Sequence, residues 1–260
     1  MIVTELMFNR KVQHYHCNNM TNKKFKVCFM YPAFRRFAVY YLPKVDSQLG
    51  TLGNHWLGWS VSDGEFVDRL TDPLIPKDIA NVTKRAQKYG FHGTLKPPMQ
   101  LKAEFGQTEF LSALRQLIST QRPFTIPEMR VRLIGNFLAL TPSAPCHLLD
   151  QLATNLVVGL DDLRQPPDES EIAKRASVGL TKQQHLLLKK WGYPYVLEEF
   201  RFHLTLSDAL DQERSAALLD AARTIFSTAT QSPIRISDVA AVGESETGMF
   251  HLIERVPPGS

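Results

Sequence analysis

Two copies of Phe-His-x-Thr-Leu constrain this chain more than any other feature. The first is Phe91-His92-Gly93-Thr94-Leu95 and the second is Phe202-His203-Leu204-Thr205-Leu206. Side chains in a strand alternate between faces with period two. Read as a strand from Glu199 to Leu206, the second copy puts Phe200, Phe202, Leu204 and Leu206 on one face. Arg201, His203 and Thr205 take the other. Read as a strand from Tyr89 to Lys96, the first copy puts His92, Thr94 and Lys96 together, against Phe91 and Leu95. The chain holds 8 His, so a bare His-x-Thr is expected about half a time from composition. Requiring the preceding Phe and the following Leu lowers the expectation for even one copy to below roughly one in a hundred.

The elements after each motif also repeat. The first motif strand ends at Lys96-Pro97-Pro98. It is followed by an amphipathic helix over 108–119, a Pro-led strand over 123–126, a strand over 129–134, the turn Gly135-Asn136 and a returning strand over 137–140. The second is followed by a helix over 213–226, a Pro-led strand over 233–236, a strand over 239–242 and a return over 250–253. The motif histidines lie 111 residues apart, and the prolines Pro123 and Pro233 lie 110 apart. That is an internal duplication. Before the first motif, the spacing predicts a strand over 36–42, a helix over 47–59 and another over 76–88. An insert at about 144–192 carries a helix over 146–160, a linker over 161–167, and a second helix. That helix is opened by the capping box Thr181/Gln184 and ends at Trp191, before Gly192. No catalytic pattern is visible in the insert. The fold class expected is α+β: two like lobes, antiparallel sheets flanked by helices, a central cleft, and the helical insert.

Charge separates a tail from a body. The net charge is +4, yet residues 1–36 alone carry +6, so the remainder is at −2. Residues 1–35 are polar and aperiodic and are expected to be a disordered basic tail. Residues 36–258 are expected to form a single bilobal domain. A body without excess positive charge argues against long nucleic acid as a partner. No apolar run approaches the roughly 18 residues of a membrane span. Cys17, Cys28 and Cys146 show neither a disulfide framework nor a Cys-x-x-Cys spacing, which suits a reducing, cytoplasmic setting.

Paired imidazoles suit phosphoryl chemistry. With an ordinary pKa near ~6.5, one His can take a proton while the other gives one. A hydroxyl two residues further along the same face can donate to a phosphate oxygen as charge builds. Arg201 and Lys96 are candidate phosphate-binding cations. The plainer readings are a salt bridge of Arg201 with Glu198 or Glu199, and a solvated strand end for Lys96. A lone strand histidine is more often a core or surface residue than a catalyst. Here it is the matched pair that points to chemistry. His55, His147, His185 and His251 lack such company. Tyr40, Tyr41, Tyr193 and Tyr195 are candidates to line the cleft. No motif has the spacing of a metal site.

These residues resemble the two-histidine (2H) phosphoesterase superfamily, whose hallmark is paired His-x-Thr strands on a duplicated α+β frame. The resemblance is closest to the branch associated with bacterial phosphonate-utilisation gene clusters. It is carried by 36–41, His55-Trp-Leu-Gly58, 89–98 and 191–206, and spans roughly residue 36 to the C-terminus. Gly93 stands where that branch more often has Ala. The resemblance implies that His92, Thr94, His203 and Thr205 bind phosphate and catalyse, with no metal and no other cofactor. It implies a phosphodiesterase acting on a small phosphorylated substrate, a cyclic phosphate ester connected with phosphonate metabolism. The alternatives are an RNA 2′,3′-cyclic-end phosphodiesterase or ligase-like enzyme, and a non-catalytic phosphate- or nucleotide-binding module.

Overall fold

The computed structural model describes residues 34–177 and 179–259. Strand β1 (Arg36–Tyr41) is buried from Phe37 onward. Ser47 accepts from the Gly50 amide and opens α1 (Gln48–Leu57), and Gly58 closes it in the left-handed conformation, φ 75°. Strands β2 (Trp59–Ser60) and β3 (Glu65–Phe66) pair with each other. Then come α2 (Lys84–Tyr89), β4 (Gly93–Met99), α3 (Gln107–Ile118), β5 (Phe124–Ile126), β6 (Met129–Ile134) and β7 (Phe137–Pro142). The insert forms α4 (His147–Gly159), α5 (Glu169–Ala176) and α6 (Lys182–Trp191). The chain continues with β8 (Leu204–Thr205), α7 (Gln212–Ile225), α8 (Ser227–Gln231), β9 (Ile234–Ile236), β10 (Val239–Glu244) and β11 (Phe250–Val256).

Seven strands form one continuous antiparallel sheet in the order β11-β10-β1-β4-β8-β7-β6. The two motif strands, β4 and β8, are therefore neighbours near its middle. The Pro-led strands β5 and β9 pair with each other in a separate ribbon. One sheet face is the main core. Phe37, Val39 and Tyr41 of β1, Leu95 of β4, Leu138 and Leu140 of β7 and Leu204 of β8 pack there with Phe110 and Leu114 of α3, Leu152 and Leu156 of α4 and Leu218 of α7. The opposite face carries a smaller cluster around Tyr40, Trp59, Val242 and Phe250.

Several boundaries differ from the sequence expectations. β4 does not stop at Pro97-Pro98 but runs on to Met99. Val39 pairs with Lys96 and Phe37 with Met99, so Ala38 alone faces both prolines. They occupy a bulge, where no ladder N–H is required of them. The strand expected from Glu199 to Leu206 shrinks to β8; residues 197–199 form a 3₁₀ turn. The ladder of β8 with β4 is the single pair Gly93–Leu204, while Ala139 and Leu140 of β7 pair with Thr205 and Leu204 on its other side. The helix expected over 76–88 begins only at Lys84, where the Asp208 carboxylate accepts the amides of Arg85 and Ala86 at 2.8 Å. Helix α5 carries no buried residue, so it left no apolar stripe to read. Phe34 and Arg35, assigned to the tail by the sequence, belong to the frame: Phe34 packs edge-on against Phe37, and the Arg35 amide donates to Glu244 O at 2.8 Å. The rest of the proposed tail lies outside the described residues.

Candidate functional site

The register of the two motif strands is fixed at one point, where Gly93 pairs with Leu204. Continuing that antiparallel register by one residue in each direction sets His92 opposite Thr205 and Thr94 opposite His203. Directly opposed residues point to the same face, with Cβ atoms about 4.5–5.5 Å apart. Leu204 lies in the main core, so His203 and Thr205 face away from it, and His92 and Thr94 do likewise. The four residues thus share one sheet face, two from each motif strand, and form a quartet.

Both rings are oriented in the same way. His92 Nδ1 lies 2.9 Å from Gly90 O, and His203 Nδ1 lies 2.7 Å from Arg201 O. In each case the partner is the carbonyl two residues earlier. A carbonyl only accepts, so Nδ1 carries the hydrogen and Nε2 is left as the working atom. In His92, Nε2 accepts from the Thr94 hydroxyl at 3.0 Å. Gly90 makes its carbonyl available by turning the chain at φ 69°, a conformation that glycine adopts without strain.

Burial sets the charge state. His92 is buried and its pKa is pushed down to about 4, mainly by desolvation, with the His203 imidazole adding to the effect and the Gly90 carbonyl opposing it. His203, half-buried, is also lowered by burial, against the pull of the Arg201 carbonyl. Without a ligand, both rings are neutral at pH 7. Tyr40, which pairs with Thr94 across β1 and β4, stacks on His92 with ring centroids 3.8 Å apart. Phe137 flanks His203 at 5.6 Å. A Cβ on Gly93 would come within 2.3 Å of the Phe202 ring. Phe202 thus occupies the space that Ala would need, and the Gly/Ala difference matters to packing here.

The two candidate cations are engaged with other groups. Lys96 is not on the open site: it is 2% exposed, its Nζ donates to Val157 O at 3.0 Å, and it lies 3.7 Å from Asp161 Oδ1. The register slips between Tyr40 and Val39 and again between Val39 and Phe37, so the strict alternation that placed Lys96 beside Thr94 breaks there. Arg201 is exposed, and its Nη1 donates to the carbonyls of Glu198 (3.1 Å) and Phe200 (2.6 Å) rather than to a carboxylate. Of the aromatic candidates, Tyr41 faces the main core and Tyr195 is exposed. His251 packs edge-on against Trp59, and His55 Nδ1 bonds to Asp68 O at 2.6 Å. Tyr40, named from the sequence as a candidate to line the cleft, does lie at the site, and its stacking on His92 is the detail the sequence did not show. Its only signal was an aromatic residue on a buried strand, which is commonplace. Among the described residues, no group of three or more His, Cys, Asp or Glu is placed to hold a metal ion, and no helix is long and apolar enough to cross a membrane.

Comparison with known proteins adds three findings. The family model described as "Protein of unknown function (DUF1045)" matches residues 94–251. A protein of Janthinobacterium sp. (strain Marseille), named ribose 1,5-bisphosphate phosphokinase PhnN, is 36% identical over 228 residues, covering 85% of this chain and 50% of that protein. One of the same name from Laribacter hongkongensis (strain HLHK9) is 29% identical over 227 residues, covering 82% and 49%. The chain thus spans about half the length of the curated relatives it matches. A solved chain titled "Crystal structure of phosphoesterase" aligns at TM-score 0.40 and 13% identity over 87% of this chain and 99% of that one, a likeness too distant to bear on activity.

Proposed function

This chain belongs to the DUF1045 family, and we propose that it is a phosphodiesterase of the two-histidine type, opening a small cyclic phosphate ester without a metal ion. The duplicated, two-lobed reading of the frame is part of this proposal. The observation that carries it is the quartet: two Nδ1-anchored imidazoles and two hydroxyls opposed on one sheet face. The shift of the His92 pKa to about 4 by burial, beside a second imidazole whose pKa is lowered in the same direction, is the kind of perturbation that gathers at functional sites.

The chemistry follows from the atoms on that face. A phosphate diester sits between the two Nε2 atoms. Thr94 turns its hydroxyl from His92 to one non-bridging oxygen, and Thr205 donates to another. His92 Nε2, now free and of low proton affinity until the anion arrives, takes a proton as water attacks phosphorus. The P–O bond to the ring oxygen breaks, and His203 Nε2 gives that oxygen its proton. The product is a phosphate monoester. The negative charge of the substrate raises the pKa of both rings, and the more open His203 is the ring it charges. Arg201, on the exposed rim, is released from its two carbonyls to meet the phosphate.

The relatives' name points to ribose 1,5-bisphosphate, which supports a phosphorylated sugar as the carrier of the ester and a place in phosphonate metabolism. The chain contains no Gly-x4-Gly-Lys-Ser/Thr loop, the usual cradle for a nucleoside triphosphate, so the kinase activity in that name finds no such support here. The test is turnover of a panel of cyclic phosphodiesters: sugar cyclic phosphates, nucleoside 2′,3′-cyclic phosphates and RNA ends. His92→Ala and His203→Ala should each lower kcat by roughly 10²–10⁴. Folded variants that work at the wild-type rate would overturn the assignment. Binding without turnover across the panel would make the site a phosphate-binding module.

A further inference from the structure

Beyond the quartet, the protein keeps a cluster of cations that the proposed reaction does not use. A cavity of about 230 Å³ opens between the far end of β4 and the insert, lined among others by Arg36, Lys96, Arg164, Arg175, Trp191 and Tyr193. Two of the four cations are already neutralised. Arg36 forks onto Glu244 at 2.5 and 2.8 Å, and Arg175 holds Glu171 at 2.6 Å. The other two share one carboxylate. Arg164 grips Asp161 at 2.7 and 3.1 Å, with Lys96 3.7 Å from the same group.

Asp168 also lines the cavity, on its exposed side; in the buried part Arg164 and Lys96 have one carboxylate, Asp161, between them, and their hydrogen-bonding capacity is unfilled. Arg164 is 8% exposed, and its Nη1 is buried with no hydrogen-bond partner among the described residues. Nη1 lies against Gly192, which also lines the cavity. Lys96 has three donors, and among the described residues only the Val157 carbonyl is within hydrogen-bond distance. Desolvation pulls its pKa down to about 8 despite Asp161. Buried, unmatched cationic donors are costly and call for a negative partner. No quartet residue lines the cavity, but β4 carries residues of both. Lys96 follows Thr94 by two residues, roughly 6–7 Å of strand. Tyr40, stacked on His92, has a buried hydroxyl with no partner among the described residues.

We propose that this cavity is a second anion subsite, in which Arg164 and Lys96 hold a non-reacting phosphate of the substrate while its cyclic ester lies at the quartet. The proposal rests on the phosphodiesterase reading of the quartet and narrows it to substrates with two phosphate groups on a scaffold of sugar size. An anion here completes the donor set of Arg164, balances the second of the two buried cations that share Asp161, and fixes the ester's position at the quartet.

The test compares two probes on the full chain: adenosine 2′,3′-cyclic phosphate, and the same compound with a 5′-phosphate. The wild type should prefer the second by roughly 10- to 100-fold in kcat/KM, the effect of charge-assisted hydrogen bonds to one phosphate. Lys96→Met replaces a desolvated ammonium by an apolar side chain of similar length and should fold. It should cut the preference at least several-fold, mainly through KM, and Arg164→Gln should do the same. Equal use of both probes by the wild type, or a preference untouched in both variants, overturns the subsite while leaving the phosphodiesterase reading intact. A further arm separates the two readings if neither probe turns over. Inorganic phosphate is titrated calorimetrically into the His92→Ala/His203→Ala chain, with and without Lys96→Met. Binding lost with Lys96 sustains the subsite on its own. Binding that persists, or no binding, refutes it. Phosphate binding through Lys96 combined with no preference between turned-over probes would mean a free anion, and would also refute the substrate role.

Discussion

Acid should destabilise this protein through His92, by an amount its burial sets. The folded ring has a pKa near 4, against about 6.5 in an unfolded chain. Between those values the unfolded chain binds the proton and the folded one does not, so stability rises with pH and is lost on acidification. Integrated over the window, His92 removes about 3 kcal/mol between pH 7 and pH 4, of which about 2 kcal/mol is gone by pH 5. His92→Asn keeps a donor to Gly90 O but cannot titrate. Urea unfolding of both proteins at pH 7, 6, 5 and 4 gives the test, because every other titrating group, His203 included, is common to the two. The wild type should lose its advantage over the variant by the stated amounts as pH falls. Parallel stability profiles would refute the burial argument, as would a His92 ring resonance titrating between pH 6 and 7.

Further outcomes follow from the local geometry and from the proposed chemistry. Gly93→Ala drives a Cβ to 2.3 Å from Phe202 and should cost about 1–3 kcal/mol of unfolding free energy; adding Phe202→Leu should recover most of it in the same urea assay. Trp56→Phe removes the Nε1 donor held 2.7 Å from Leu206 O, leaving a buried carbonyl unpaired, and should cost about 1–3 kcal/mol by thermal or urea unfolding. Thr94→Ala and Thr205→Ala should each lower kcat/KM on the best cyclic ester by about 1–3 kcal/mol, and the wild-type rate should survive chelation. Restoration of a chelated enzyme by a divalent ion would count against the imidazole chemistry.

What could be read from the chain alone was local. Alternation in Phe202-His203-Leu204-Thr205-Leu206 dictates which side chains enter the core, and Leu204 and Leu206 are indeed fully buried. The caps at Ser47 and Thr181 start helices where their side-chain oxygens reach the next turn's amides. Spacing alone could not say that β4 and β8 lie side by side, or that Gly93 meets Leu204 and so brings the two motifs onto one sheet face. Partner and register are choices between segments 111 residues apart, made by the packing of both faces at once. The same holds for Lys96. Its parity with Thr94 is a fact of sequence, but a slip on either side of it against β1 turns it from the quartet toward Asp161 and Arg164, because strand alternation holds only while the pairing stays regular.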